Sequence, residues 1–261
     1  MLSKADIEKD LQTFQVAQGK IVSVHTSLKA VGDIEDGGET LLSALIEFFT
    51  AKDGVLCIPT HTWDSNVYDM RKAESCTGVL SRLAAGHPAG KRTAHPTHSV
   101  AIFGERQKVE EIVRIEEHSI TPASPSGCMG RLYDEDGYVL LIGVGQNKNT
   151  FLHCVEEMLC VPNRLTKETI AHTVIRPDGR KEIKNIYCFD EENFCDASVF
   201  FDKFEPAFRY HGAIIDGRIG NAPVQLCSAR KMKEVVEQIY QNNQFGELLD
   251  NDNPLDEKLY K

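Results

Sequence analysis

The chain has 261 residues, of which 41% are hydrophobic and 26% are charged. A chain of this length can bury a full core, and α/β enzymes of this size are routinely one domain, so we predict one domain over residues 1–261. The formal net charge of -10 gives no general attraction to nucleic acid or to an anionic membrane, and it suits a cationic small molecule. The sequence has neither an apolar run long enough to span a membrane nor a leader-like start, so we expect a cytoplasmic protein.

The first part of the chain alternates helical and strand patterns. Residues 4–18 have the spacing of an amphipathic helix, and residues 21–24 form a short apolar strand that ends in the polar group HTSL. The helical run ETLLSALIEFF follows Gly37 and Gly38, and Gly54 then introduces the strand VLCI, which ends in PTHTWD. A strand, a helix and a strand in this order predict a right-handed parallel unit.

The rest of the chain continues this pattern and ends in a β-rich region. Residues 76–94 predict a short helix and a loop, the segment HPTHSVAIFG turns into a strand, and residues 105–117 predict a charged helix. The segment ETIAHTVIRPDGRKEIKNIYCF predicts a β-hairpin around residues 177–179, and residues 228–241 predict a closing helix. The acidic tail from Glu247 is expected to fray.

Three apolar strands are each followed by a polar loop. The third is the run at residues 138–144, which leads into a loop rich in Gly and Asn. The carboxyl ends of parallel strands share one edge of an open sheet, where ligands bind, so the polar clusters at residues 25–27, 60–64 and 147–153 can converge on one cleft. The sequence predicts an α/β fold with a central, mostly parallel sheet flanked by helices, and a β-rich C-terminal subregion.

The helical segment FLHCVEEML after the third strand carries the sharpest chemical pattern. Asn149 or Thr150 can cap this helix. One face of the helix then holds residues at intervals of three or four: Thr150, His153, Glu156 and Glu157. A histidine beside a carboxylate can act as a base that is held in one tautomer. The alternative is that His153 packs on an amphipathic helix with Glu156 as a surface neighbour.

Several ordered motifs extend over residues 19–226. HTSL is similar to a family element of the form HSSL, PTHTW to a PTxxW element, and TGVLSRLAAGHPAGKRTAHPTHSVAIFG to a long block with a late His-Pro-x-x-Ser-Val. SPSG, LLIGVG, NTFLHCVEE and DGRIGNA follow in the family's order. On these motifs the chain resembles the aminoglycoside 3-N-acetyltransferase family, also called the antibiotic N-acetyltransferases.

This resemblance implies an α/β fold, acetyl-coenzyme A as donor, an amine of an aminoglycoside or related amino compound as acceptor, antibiotic resistance as a role, and no metal. By match of position, His153 and Glu156 are the catalytic base pair. The resemblance also implies that residues in and around the HTSL and HPTHS elements line the coenzyme site. These residues are His25, Thr26, Ser27, Leu28, Arg92, His95, Ser99 and Val100. The sequence leaves open whether the protein forms a homo-oligomer.

The residue types also suit acetyl transfer. An amine is mostly protonated near neutral pH, so its attack on a thioester needs a base, for which histidine is suited. The hydroxyls of Thr26, Ser27 and Ser99 can meet the phosphates and the pantetheine arm of the donor, and Arg92 and Lys91 can add positive charge. Hydrogen bonds in turns and at strand ends are the alternative use of these hydroxyls.

The acceptor is expected to bind beside the PTHTW strand end. We predict Trp63, Asp64 and Thr150 as acceptor-binding residues, with the indole stacking on a ring. Asp69 and Glu74 can add negative charge at the mouth of the cleft. The alternatives are a packing role for Trp63 and ordinary solvated carboxylates.

Two other functions stay open from the sequence. His95 and His98, with His61, His118 and His153 elsewhere, suggest a zinc site and a metal-dependent hydrolase, although Pro96 disfavours a helical pair and no HExxH pattern exists. The other alternative is a noncatalytic module that binds a coenzyme or a polyamine.

The cysteines favour packing over chemistry. The eight cysteines form no CxxC pair, which argues against a disulfide framework or a structural zinc site. Cys154 lies beside His153, where a covalent acyl-cysteine route is conceivable. Adjacent helical residues point about 100 degrees apart, so we expect Cys154 to face the core instead.

Overall fold

Strands and helices alternate through most of the chain, and the computed structural model describes residues 1–190 and 196–261. The strands are β1 (Ile21–Thr26), β2 (Val55–Pro59), β3 (Val67–Asp69), β4 (Lys91–Arg92), β5 (Val100–Phe103), β6 (Tyr138–Ile142), β7 (Ile170–Ile175), β8 (Lys181–Ile186), β9 (Ile214–Ile219) and β10 (Ala222–Ser228). The helices are α1 (Lys4–Leu11), α2 (Leu28–Val31), α3 (Gly38–Thr50), α4 (Val79–Ala85), α5 (Arg106–Glu116), α6 (Cys128–Asp134), α7 (Phe151–Met158), α8 (Glu205–Tyr210) and α9 (Ala229–Asn242). Among the described residues, no helix is both long and apolar enough to cross a membrane.

A seven-stranded sheet forms the centre of the fold, in the order β4-β5-β2-β1-β6-β10-β9. Strand β1 pairs in parallel with both β2 and β6, as the strand-helix-strand pattern predicts. The other strand pairs of this sheet are antiparallel, so the parallel pairing is confined to the centre of a mixed sheet. Strands β3, β7 and β8 form a second sheet, in which β7 and β8 make the predicted hairpin. The predicted α/β class is confirmed.

Alternate side chains of the central strands supply two apolar cores, one on each face of the sheet. On β6, Val139 and Leu141 pack into a core shared with α5, α6, α7 and α9. Leu140 and Ile142 pack into the other core, which is shared with α1, α3 and α4. Because successive side chains of a strand point to opposite faces, helices on both faces explain why this strand is apolar throughout. The sheet is therefore rigidly held, and its polar strand ends are positioned precisely by packing on both sides.

The C-terminal tail packs against the rest of the chain, and the prediction that it frays from Glu247 is wrong. Leu248, Leu249 and Tyr260 are buried. The carboxylate of Glu247 accepts two hydrogen bonds from the guanidinium of Arg164, at 2.9 and 2.8 Å. The tail is ordered because its acidic and apolar residues have partners that are distant in sequence.

A close approach of the backbone at Gly130 in α6 generates a stability prediction. A Cβ atom at this position would lie 1.7 Å from the carbonyl oxygen of Pro125. We expect Gly130→Ala to lower the free energy of unfolding by about 1 to 3 kcal/mol, the usual range for overpacking. Urea unfolding measures this change. Gly86→Ala is the control, because a Cβ there meets nothing within 4 Å; an equal effect of the two substitutions would contradict the prediction.

A buried carboxyl on α5 generates a prediction about pH. Glu116 is 4% exposed, and burial raises its pKa to about 7. The native state therefore holds a proton that the unfolded chain releases, so the stability contributed by this group falls as the pH rises from about 4.5 through about 7, by about 3 kcal/mol in total. Urea unfolding at pH 5 and pH 8.5 should show that Glu116→Gln removes this fall. Parallel pH dependences in the two proteins would argue against it.

Candidate active site

The loops after the parallel strands meet at one edge of the sheet. His25 is the residue before the last of β1, and His61 follows β2. Burial lowers the pKa of His61 well below its usual value, and the nearby charges of His25, His95 and His153 act in the same direction. The backbone N–H of Ser27 donates to the carbonyl of Ile142 at the end of β6, and ring contacts link His61 with His153, so the three polar clusters lie at one edge of the sheet, as expected for the carboxyl ends of neighbouring parallel strands.

The His153 side chain lies on α7 with one ring nitrogen directed at a carboxylate. Its Nδ1 is 3.2 Å from Oε2 of Glu156, three residues further along the helix. The ring packs between Phe189 and Phe201, with centroid distances of 4.3 and 4.8 Å. The side chain is 12% exposed, and among the described residues no hydrogen bond engages its Nε2. A proton can therefore be exchanged at Nε2 while Nδ1 stays on Glu156.

Glu156 is a buried carboxylate, so the alternative that it is a surface neighbour of His153 is wrong. Its side chain is 2% exposed. Its second oxygen, Oε1, accepts a hydrogen bond of 2.5 Å from Nε of Arg164. A buried carboxylate needs such partners, because an unpaired charge in the interior is costly.

Glu157, the other carboxylate of the predicted face, is directed elsewhere. It accepts hydrogen bonds from the Thr121 hydroxyl at 2.5 Å and from the Ala123 backbone N–H at 3.0 Å. Burial raises the pKa of Glu157. Glu156 is thus the carboxylate of α7 that contacts the imidazole.

The start of α7 is fixed by an asparagine. Asn149 Oδ1 accepts the backbone N–H of Phe151 at 3.2 Å, and Asn149 Nδ2 donates to Gln146 at 2.8 Å. Thr150 makes no side-chain cap hydrogen bond and is 8% exposed. Of the two predicted caps, Thr150 occupies the N-cap position, and the side chain of Asn149 supplies the hydrogen bond to the helix start.

Arg92 and Ser99 join strand ends inside the protein. Arg92 Nε donates to the hydroxyls of Thr60 and Ser99, both at 3.1 Å, and Arg92 Nη2 donates to the Thr60 carbonyl at 2.7 Å. His95 contacts the Thr121 carbonyl through Nε2 at 3.1 Å, and its Nδ1 accepts the backbone N–H of His98 at 3.0 Å. These polar atoms already have protein partners.

Other polar atoms at this edge, at the end of β1 and after β2, have no such partners. His25 Nε2, Thr26 Oγ1 and His61 Nε2 are buried and have no hydrogen-bond partner among the described residues. Burial lowers the pKa of His25 to about 4, so its ring is neutral at pH 7. Buried polar groups are nearly always paired, so unpaired ones at a strand end indicate a place where a ligand can bind.

The remaining residues predicted for the coenzyme and acceptor lie around this edge. Ser27 precedes α2 and Leu28 begins it, both half-buried, and Val100 begins β5 and is buried. Trp63 is 56% exposed, and Asp64 is exposed beside it. Their roles stay predictions.

A row of aromatic rings connects Trp63 with His153, and this was not predicted from the sequence. The His61 ring lies 5.5 Å from Trp63 and 4.4 Å from His98. The His98 ring lies 5.2 Å from Phe189, which contacts His153. The histidines of PTHTW and HPTHS were a signal in the sequence, but Phe189 lies in an unrelated segment and gave none.

The histidines do not form a metal centre in the part of the chain that is described. Within residues 1–190 and 196–261, no group of three or more His, Cys, Asp or Glu side chains is arranged to hold a metal ion.

Cys154 faces the core as predicted. Its side chain is fully buried, and burial raises the pKa of the thiol well above its usual value. A thiol in this state is a poor nucleophile, because the thiolate is the reactive form.

Comparisons with known proteins agree with the motifs. A sequence model described as Aminoglycoside 3-N-acetyltransferase matches residues 24–241. Aminoglycoside N(3)-acetyltransferase IV from Salmonella sp is 27% identical over 230 residues, which are 87% of this chain and 83% of that protein.

Solved structures of such enzymes share the fold. A histidine-to-alanine mutant of aminoglycoside acetyltransferase AAC(3)-IVa in complex with a gentamicin is 27% identical, with a TM-score of 0.74 over 89% of this chain and 85% of that one. AAC-IIIb in a binary complex with CoASH is 20% identical, with a TM-score of 0.78 over 95% of this chain and 98% of that one. The resemblance seen in the motifs is confirmed: this acetyltransferase belongs to the aminoglycoside 3-N-acetyltransferase family.

Proposed function

We propose that this protein transfers the acetyl group of acetyl-coenzyme A directly to an amine of an aminoglycoside or a related amino compound, with His153 as the general base. The observation that carries the proposal is the contact of His153 Nδ1 with the buried Glu156 carboxylate, which leaves Nε2 for the proton of an incoming amine. The relatives with CoASH and with gentamicin support the choice of donor and acceptor class.

In the proposed reaction, His153 first accepts a proton and later donates it. The reacting amine is neutral, because its ammonium proton is lost to solvent before the attack. His153 Nε2 takes a proton from this amine as the nitrogen attacks the acetyl carbonyl. When the tetrahedral intermediate collapses, the carbon–sulfur bond breaks, and the thiolate of coenzyme A receives that proton from the imidazolium. Glu156 keeps the ring in one orientation and stabilises the imidazolium between these two steps.

The unpaired polar atoms at the end of β1 support a place for the donor. His25 Nε2 and Thr26 Oγ1 can hydrogen-bond the amide groups of the pantetheine arm or the thioester oxygen. Arg92, His95 and Ser99 contribute by holding the strand ends in place, because their polar atoms have partners within the protein.

The acceptor is proposed to enter over Trp63. The exposed indole offers a flat face to a sugar or cyclitol ring, and Asp64 next to it adds negative charge that attracts an ammonium group. The net charge of -10 favours a cationic acceptor in the same way.

We expect His153→Ala to lower kcat for acetyl transfer by about a hundredfold or more, because the general base is lost, while the KM for acetyl-coenzyme A stays close to that of the wild type. Release of thiol from acetyl-coenzyme A is measured with gentamicin, apramycin, sisomicin and spermidine in turn. His118→Ala is the control, because this histidine is exposed.

Unchanged turnover in the His153→Ala variant would reject the base. Thiol release that does not depend on any added amine would indicate a hydrolase. Binding of acetyl-coenzyme A without turnover on any of the four amines would support a noncatalytic binding module.

We expect Trp63→Ala to raise the KM for the acceptor by about fivefold to thirtyfold, since a stacked aromatic contact contributes about 1 to 2 kcal/mol. The KM for acetyl-coenzyme A should not change. Ile183→Ala is the control, because Ile183 is an equally exposed apolar residue on the small sheet. An unchanged acceptor KM would leave Trp63 without a role in binding.

A further inference from the structure

Arg164 lies between two carboxylates that come from different parts of the chain. Its Nε donates to Glu156 Oε1 at 2.5 Å. Its Nη1 and Nη2 donate to Glu247 Oε2 and Oε1 at 2.9 and 2.8 Å. The exposed fractions of the side chains are 8% for Arg164, 2% for Glu156 and 34% for Glu247. The guanidinium thus forms a bidentate pair with Glu247 and a single hydrogen bond with the proposed catalytic carboxylate.

Glu247 is held in place where the tail begins. Its Oε1 also accepts the backbone N–H groups of Leu248 and Leu249, at 2.9 and 2.8 Å. The hydrogen bonds from Arg164 lower the pKa of Glu247 to about 2, so it remains a carboxylate at every pH at which a histidine titrates. The charge on Glu247 is therefore constant in the working range of the enzyme.

The charges of this group determine how strongly Glu156 supports an imidazolium. Arg164 alone would cancel the charge of Glu156, because the two groups share a hydrogen bond in a buried environment. Glu247 supplies a second negative charge, so the three side chains together carry one net negative charge. Glu156 is the member of this group that contacts His153, so a change in the net charge of the group acts on the ring through Glu156.

Among the described residues, two neighbouring histidines and Tyr240 carry no charge at pH 7. Burial lowers the pKa of both His61 and His98 well below the usual value, so both rings are neutral at pH 7. Burial raises the pKa of Tyr240, which lies 3.5 Å from Arg164, and keeps the phenol neutral. Glu157, which accepts hydrogen bonds from Thr121 and Ala123, also interacts electrostatically with His153, and this interaction is common to all the Glu247 variants.

We propose that Glu247 is a positioning residue, which acts through Arg164 to set the basicity of His153. This inference rests on the proposed function of the His153 and Glu156 pair. A purely structural role for Glu247 would change the stability of the tail and leave the titration of the imidazole unchanged. The two roles are therefore separated by a measurement on the ring itself.

The test is an NMR titration of the histidine ring protons in the full-length protein, with the His153 signal assigned by its loss in His153→Ala. In Glu247→Gln the midpoint of the His153 titration should fall by about 0.5 pH unit, because the positive charge of Arg164 is no longer balanced. Glu247→Asp keeps the charge and should stay close to the wild type. Glu237→Gln is the matched control, since Glu237 is also 34% exposed and pairs with a cation, Lys233, away from Arg164.

A midpoint in Glu247→Gln equal to that of the wild type would overturn the proposal, and so would an equal fall in Glu247→Asp or Glu237→Gln. Thermal unfolding of each variant reports separately on any loosening of the tail. Because the titration needs no substrate, its outcome is independent of whether His153→Ala abolishes acetyl transfer, which is the test of the proposed function.

Discussion

The buried carboxylate of Glu156 is the constraint on which the rest of the site depends. A carboxylate with a 2% exposed side chain is tolerated only when its oxygens have partners, and here the partners are the imidazole of His153 and the guanidinium of Arg164. Arg164 is itself too buried to stand alone, and Glu247 completes its coordination. One helix, the segment after it and the C-terminal tail are thereby held together by a single set of charges.

The polar residues of the site fall into two groups, according to whether their polar atoms have hydrogen-bond partners among the described residues. Arg92, Ser99 and His95 use their polar atoms to connect the ends of neighbouring segments, which fixes the shape of the edge. His25 and Thr26 present atoms that the described part of the protein leaves unpaired. Residues of the first group hold neighbouring segments of this edge together, and residues of the second group have polar atoms that remain available for hydrogen bonds.

Features encoded locally could be predicted from the sequence. The central strands follow from apolar runs, and the contact of His153 with Glu156 follows from a spacing of three residues on a helix. The contacts of Arg164 and Phe189 could not be predicted, because each joins segments that no local pattern relates. The tail was wrongly expected to fray for the same reason. Its acidic residues suggest disorder, and the sequence does not show that Arg164 pairs with Glu247.

Burial and charge give the histidines of this edge different tasks. Desolvation disfavours a charged ring, so the pKa of His25 falls to about 4 and that of His95 to about 3, and both rings remain neutral hydrogen-bonding groups at pH 7. His153 differs from these rings in having a buried carboxylate at Nδ1. Neutral rings explain why several imidazoles can lie close together at this edge without repelling one another.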